Sequence, residues 1–84
     1  MRKTYLYVLQ SIRNGRKYIG VTHNLDERIR RHNDMKVAPS QKYAPYRLIY
    51  SEIFSELVLA RRRELFFKSG DGRRVLLKKI SETR

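Results

Sequence analysis

The chain has 84 residues, no cysteine, and twenty Lys and Arg against eight Asp and Glu, a formal charge of +12 with a sequence pI near 10.6. That length bounds a single domain over 1–84, near the size at which a hydrophobic core becomes marginal. Without cysteine there are no disulfides, thiolate metal sites or cysteine nucleophiles, and without a long apolar run or a signal-peptide pattern the expectation is a soluble, cytoplasmic protein.

The excess charge costs self-repulsion, and a polyanion that releases counterions on binding is its usual partner. Residues 1–60 carry eleven basic and five acidic groups, and 61–84 carry nine and three, so the density rises toward the C-terminus. Nucleic acid is the expected partner. The rival, an anionic membrane surface, favours helices with a strongly apolar face opposite the basic one, which these segments show poorly.

In chain order, residues 4–11 and 16–21 read as strands joined by Asn14-Gly15, a strong hairpin signal. With those two residues as the whole turn, Leu9 faces Gly20 and Tyr7 faces Thr22. Tyr5, Tyr7 and Leu9 then share a face with Tyr18, Gly20 and Thr22. Gly20 weakens a strand unless something must come close, so it marks a gap beside Leu9 for a ligand or a backbone. In this register Tyr7 and Tyr18 are offset by about four residues, roughly 13 Å. Two core tyrosines with a chance glycine are the plain alternative.

Asn24 caps a helix running to about Asn33, with Glu27 completing an approximate capping box. Leu25, Arg28, Ile29 and His32 fall within one arc of roughly 100°, while Glu27, Arg30 and Arg31 point elsewhere. An arginine on a packing face is costly unless it meets a carboxylate or a phosphate. Residues 34–45 ("DMKVAPSQKYAP") read as a loop, and Tyr43 and Tyr46 around it are placed either to stack bases or to pack. Arg47 to Phe54 is a third strand.

A second helix spans Ser55 to about Ser69, stopped by Gly70 and Gly72, and a short basic helix starts at Arg73. On the second helix Leu57, Val58, Ala60, Leu65 and Phe67 define one side. Glu64 lies within it between Arg61 and Lys68, with Arg62 and Arg63 outside. That carboxylate is either ion-paired with Arg61 or Lys68 or kept for a divalent cation. The order β-β-α-β-α-α predicts an α+β domain, a small three-stranded mixed or antiparallel sheet flanked by helices.

Tyr7 in a first strand, "KYIG" in a second, Arg28 and His32 in "LDERIRRH", and Glu64 in "RRRELFFKSGDGR" follow one another in that order. The set resembles the GIY-YIG nuclease superfamily, in particular its short stand-alone bacterial members, from about Thr4 to Arg74. The second triplet, Tyr18-Ile19-Gly20, matches fully. The first reads Tyr5-Leu6-Tyr7, keeping the tyrosine and replacing a glycine that carries no chemistry in that family.

The resemblance implies a metal-dependent endonuclease that hydrolyses DNA phosphodiesters, prefers structure over sequence and works in DNA repair. Glu64 would hold Mg²⁺ or Mn²⁺, and Tyr7 would orient or deprotonate the attacking water, with Tyr18 tuning it. Arg28 would neutralise charge on the phosphoryl oxygens, and His32 would support the site or assist proton transfer. Gly20, Arg30, Arg61, Lys68 and Arg73 would meet the substrate, which RNA could also be. A free tyrosine is a poor base at pH 7, so cations beside it are expected to lower its pKa. A module that binds DNA or RNA without cutting is the second reading. An adaptor docked on a repair enzyme is the third, and it predicts an exposed apolar patch that the sequence does not display clearly.

Overall fold

A computed structural model describes residues 3–34 and 44–83. Three strands, β1 (Thr4–Ser11), β2 (Lys17–Thr22) and β3 (Tyr46–Phe54), form one antiparallel sheet in the order β2-β1-β3. Three helices complete it: α1 (Leu25–Asn33), α2 (Leu57–Lys68) and α3 (Gly70–Glu82). The α+β order is the expected one, and the sheet is wholly antiparallel.

As the central strand, β1 is covered on both faces, so its run Leu6-Tyr7-Val8-Leu9 is fully buried. Leu6 and Val8 pack with Phe67, Leu76 and Ile80 of α2 and α3. Tyr7 and Leu9 pack the other way, with Ala44 and Tyr46, against Leu25 and Ile29 of α1. Period-two alternation thus splits one strand between a dry core and a tyrosine-lined face. Each buried leucine or valine contributes roughly 1.5–3 kcal/mol, which a chain this short needs. A register shift on β3 opposite Val8 and Leu9 bends the sheet beside that second face.

The hairpin register corrects the expected one. Tyr7 faces Gly20 and Leu9 faces Tyr18, two residues from the predicted pairing. Ser11 is the cause. Its hydroxyl accepts from the backbone N–H groups of Arg13 and Asn14, its carbonyl accepts from Gly15, and its own N–H donates to the Arg16 carbonyl. The loop therefore holds four residues, Ile12 to Gly15, and Gly15 turns the chain with φ of 78°. Because the shift is even, the faces are unchanged.

Asn24 caps α1 as expected, its side chain accepting from the Glu27 N–H at 3.1 Å. The α2 face needs correction. Ala60, Glu64 and Phe67 are its buried residues, at i, i+4 and i+7, while Leu57, Val58 and Leu65 are exposed. Small Ala60 allows the close approach, and Leu65 lies one residue past the buried line. Arg63, expected outside, lies half-buried over the Phe67 ring and forks onto Glu52 at 2.9 and 3.2 Å. Part of the apolar surface that an adaptor reading asks for is therefore present on α2.

Also corrected is the start of α3, which begins at Gly70, not Arg73. Ser69 caps it by accepting from the Gly72 N–H. A Cβ on Gly72 would lie 1.6 Å from the Phe66 carbonyl oxygen, so this glycine lets α2 and α3 join with almost no linker. The glycines that read as a stop are part of the next helix.

Candidate active site

Tyr7 is the centre of the site, fully buried on the α1 side of the sheet. Gly20 sits opposite it in β2, and a Cβ there would lie 2.5 Å from the Tyr7 hydroxyl. The space that the missing side chain leaves is filled by Tyr7 itself, not by a gap beside Leu9. Two turns of α1 then bring Arg28 and His32 to the phenol, because residues four apart lie one above the other on a helix. Arg28 Nε donates to the Tyr7 hydroxyl at 3.2 Å, and His32 Nε2 lies 3.1 Å from the same oxygen.

The His32 ring is walled by tyrosines, with Tyr18 at 4.6 Å and Tyr46 at 5.9 Å between ring centroids. Tyr7 and Tyr18 stack at 6.4 Å, and the observed register shortens the offset between them from four residues to two. Tyr46 is fixed there because Asn33, at the end of α1, exchanges side-chain hydrogen bonds with its backbone N–H and carbonyl. Tyr46 packs; Tyr43 lies outside the described residues.

The electrostatics of this cluster run against the expectation for Tyr7. Burial pushes its pKa up, and the hydrogen bond and charge of Arg28 offset only part of that. The charges of Tyr18 and Glu64 add to the rise. His32 is pushed down to about 4, first by burial and then by the charges of Arg28 and Arg31. It is therefore neutral near pH 7. Arg28 takes one lone pair of the phenol oxygen, and in the tautomer with hydrogen on Nδ1 the Tyr7 hydroxyl donates to the Nε2 lone pair of His32. A phenol, a guanidinium and a neutral imidazole thus share one oxygen.

Glu64 stands apart from this cluster. Its carboxylate is nearly buried, with Arg61 Nη1 at 3.2 Å from one oxygen and Lys68 Nζ at 2.9 Å from the other. Its partners are exposed, 60% for Arg61 and 51% for Lys68. Among the described residues no three His, Asp or Glu side chains converge. Glu64 is the carboxylate that the family resemblance assigns to a hard cation, and it would be a single protein ligand, with the remaining positions left to water or substrate oxygen. A single carboxylate is within what Mg²⁺ accepts, since it keeps several waters, and here the Arg61 and Lys68 side chains occupy both oxygens.

Of the other expected contacts, Arg73 and Lys68 line a cavity of about 450 Å³ together with Tyr18. Arg30 is exposed on α1, on the side away from the sheet. The sequence reading missed Arg31 and left Tyr46 open between stacking and packing. Tyr46 carried a signal only as one aromatic in a basic loop, and Arg31 acts on His32 through its charge rather than by contact.

A model of the GIY-YIG catalytic domain matches residues 3–75. The chain belongs to the GIY-YIG family. A UPF0213 protein of Bacillus licheniformis is 42% identical over 65 residues, a stretch that spans 76% of this chain and 66% of that relative. The solution NMR structure of a UPF0213 protein from Bacillus halodurans matches with a TM-score of 0.55 and 28% identity, over 90% of this chain and 83% of that one. The GIY-YIG family is one of nucleases, and nucleic acid is the class of partner that this membership brings. Among the described residues, no helix is long and apolar enough to cross a membrane.

Proposed function

We propose that this GIY-YIG domain is an endonuclease of DNA repair that hydrolyses DNA phosphodiesters, prefers structure over sequence, and uses one Mg²⁺ or Mn²⁺ at Glu64. The observation that carries the reading is the Tyr7 hydroxyl held between Arg28 and a neutral His32. Bound at Glu64, the cation supplies Lewis-acid polarisation of the phosphoryl group.

Tyr7 takes a proton from the attacking water while its own passes to His32 Nε2. The water oxygen bonds to phosphorus as the bond to the leaving oxygen breaks. Arg28 stabilises the charge on the phenol oxygen and on the phosphoryl oxygens. Burial raises the Tyr7 pKa and lowers that of His32 to about 4, so the transfer runs uphill in the resting site. Tyr7 is therefore not ionised beforehand, and its proton moves as the water attacks. A phosphate beside Arg28 offsets the charge that depresses His32, which lowers that climb. Tyr18, against the His32 ring, orients the water. Exposed Arg30, Arg61, Lys68 and Arg73 hold neighbouring phosphates, contacts that position a strand without reading its sequence, and Gly20 keeps the backbone low under Tyr7.

A second reading, binding without cutting, is favoured by the ion pairs that occupy both Glu64 oxygens. Cleavage on branched, flapped, single-stranded and duplex DNA and on an RNA, each with Mg²⁺, Mn²⁺ or EDTA, separates the two. Cutting that requires the metal supports the enzyme. Salt-sensitive binding to the same panel without cutting supports the second reading.

A further inference from the structure

One cavity lies beside the site just described and shares Tyr18, Lys68 and Arg73 with it. It holds about 450 Å³, within the roughly 300–1,000 Å³ typical of small-ligand sites. Its walls are of two kinds. Lys17, Lys68 and Arg73 supply three cations, and no acidic side chain lines it among the described residues. Tyr18, Leu76 and Leu77 supply an apolar surface.

Phosphates alone would need only the cations. The apolar walls match the face of a base that has left its stack, which single-stranded binders take on aromatic or apolar side chains. Two residues tie the cavity to the active site. Tyr18 lies 4.6 Å from the His32 ring, and Lys68 holds Glu64 at 2.9 Å. The strand along one wall, β2, is an edge strand, which leaves backbone N–H and C=O groups on its outer side.

We propose that this cavity seats one unpaired nucleotide of the substrate strand next to the scissile phosphate, its base against Tyr18 and Leu77 and its phosphate on Lys17 and Arg73. The assignment rests on the nucleic-acid part of the proposed function and names its substrate class: a strand with at least one unpaired nucleotide beside the cut.

The test is binding by fluorescence anisotropy, in EDTA, to a flapped DNA duplex whose first unpaired position carries either a base or an abasic sugar. The wild type is expected to bind the base-bearing flap about tenfold tighter, the order of one stacking contact. Leu77 is 54% exposed, so Leu77→Asp leaves the core intact. It is expected to bring that ratio close to one while abasic binding persists. Equal wild-type affinities for the two flaps, or a loss in Leu77→Asp that is the same for both, would overturn the assignment. So would displacement of the flap by free AMP at stoichiometric concentration, which would make the occupant a free nucleotide. The chelator keeps this test separate from catalysis. A flap bound with discrimination but never cut in Mg²⁺ counts against the nuclease and leaves the cavity assigned, and cutting without discrimination does the reverse.

Discussion

The two halves of the site are built on opposite plans. Around Tyr7, each contact is fixed by packing: His32 has no solvent exposure, Tyr46 is tied to Asn33, and Gly20 leaves room for one placement of the ring. Around Glu64, both partners are exposed cations. A third region shows what a permanently paired carboxylate looks like in this fold. Glu52 takes two bonds from the Arg63 fork and one from the Tyr50 hydroxyl. Burial pushes Glu52 up, but those bonds outweigh it and hold its carboxyl below the ordinary value. Glu52 is held by a partner that is largely covered, whereas the exposed partners of Glu64 are the ones that would have to exchange for a cation in the proposed function. Proton transfer needs the first plan, since a misplacement of a fraction of an ångström breaks a hydrogen bond. Capture of a cation suits the second.

The contrast is broken most sharply at the fixed half. Tyr7→Phe keeps the ring and removes the hydroxyl that the proposed function uses as proton carrier, so cleavage should fall about 10³-fold while DNA affinity holds. A wild-type single-turnover rate in that variant would remove Tyr7 from the chemistry.

Acid strikes the same half through stability. His32 is held neutral in the fold, so between pH 6.5 and about 4 the unfolded chain binds more protons than the folded one. Stability present above pH 6.5 is therefore lost as the pH falls through that window, by about 3 kcal/mol in all. Glu52 adds its own loss only below its ordinary value of 4.5. Urea unfolding between pH 7 and 5 should show the decline in wild type and a nearly flat curve in His32→Gln. Parallel slopes would place the titrating group elsewhere.

Gly20→Ala sharpens the comparison further. Its Cβ meets the end of a ring that has no free space to move into, so it should cost about 1–3 kcal/mol and spoil the Tyr7–His32 bond. Melting temperature together with cleavage rate reads both effects, and unchanged values would mean that the ring has slack. The smallest effect belongs to the exchangeable half. Arg61→Ala should cost less than ~1 kcal/mol, since exposed ion pairs contribute little. A larger loss in unfolding free energy would make Glu64 a structural pair like Glu52.

Much of this arrangement was legible in the sequence because it depends on spacing along one helix. Asn24 starts α1, and the period of 3.6 residues then places Arg28 and His32 together on the packing side whatever lies opposite. The hairpin register was not legible. Asn14-Gly15 argues for a two-residue turn, and the four-residue loop is chosen by the Ser11 hydroxyl, a bond no pattern announces. The α2 face went astray for a related reason. Apolar periodicity gives a stripe wide enough to include Leu65, and only the close packing allowed by Ala60 selects Glu64 and Phe67 within it. Gly70 and Gly72 read as a stop because a tertiary contact, the Phe66 carbonyl, is what demands Gly72. The pKa of Tyr7 went the other way from the one expected of a phenol among cations, because burial outweighs a single arginine.

That the fixed and exchangeable halves form one catalytic site is tested most directly by Glu64→Gln. The measurement is its single-turnover cleavage rate in Mg²⁺ on whichever DNA the wild type cuts, beside its affinity for that DNA in EDTA. Loss of cleavage with affinity preserved is the predicted result. A wild-type rate, insensitive both to the substitution and to chelation, would contradict the account.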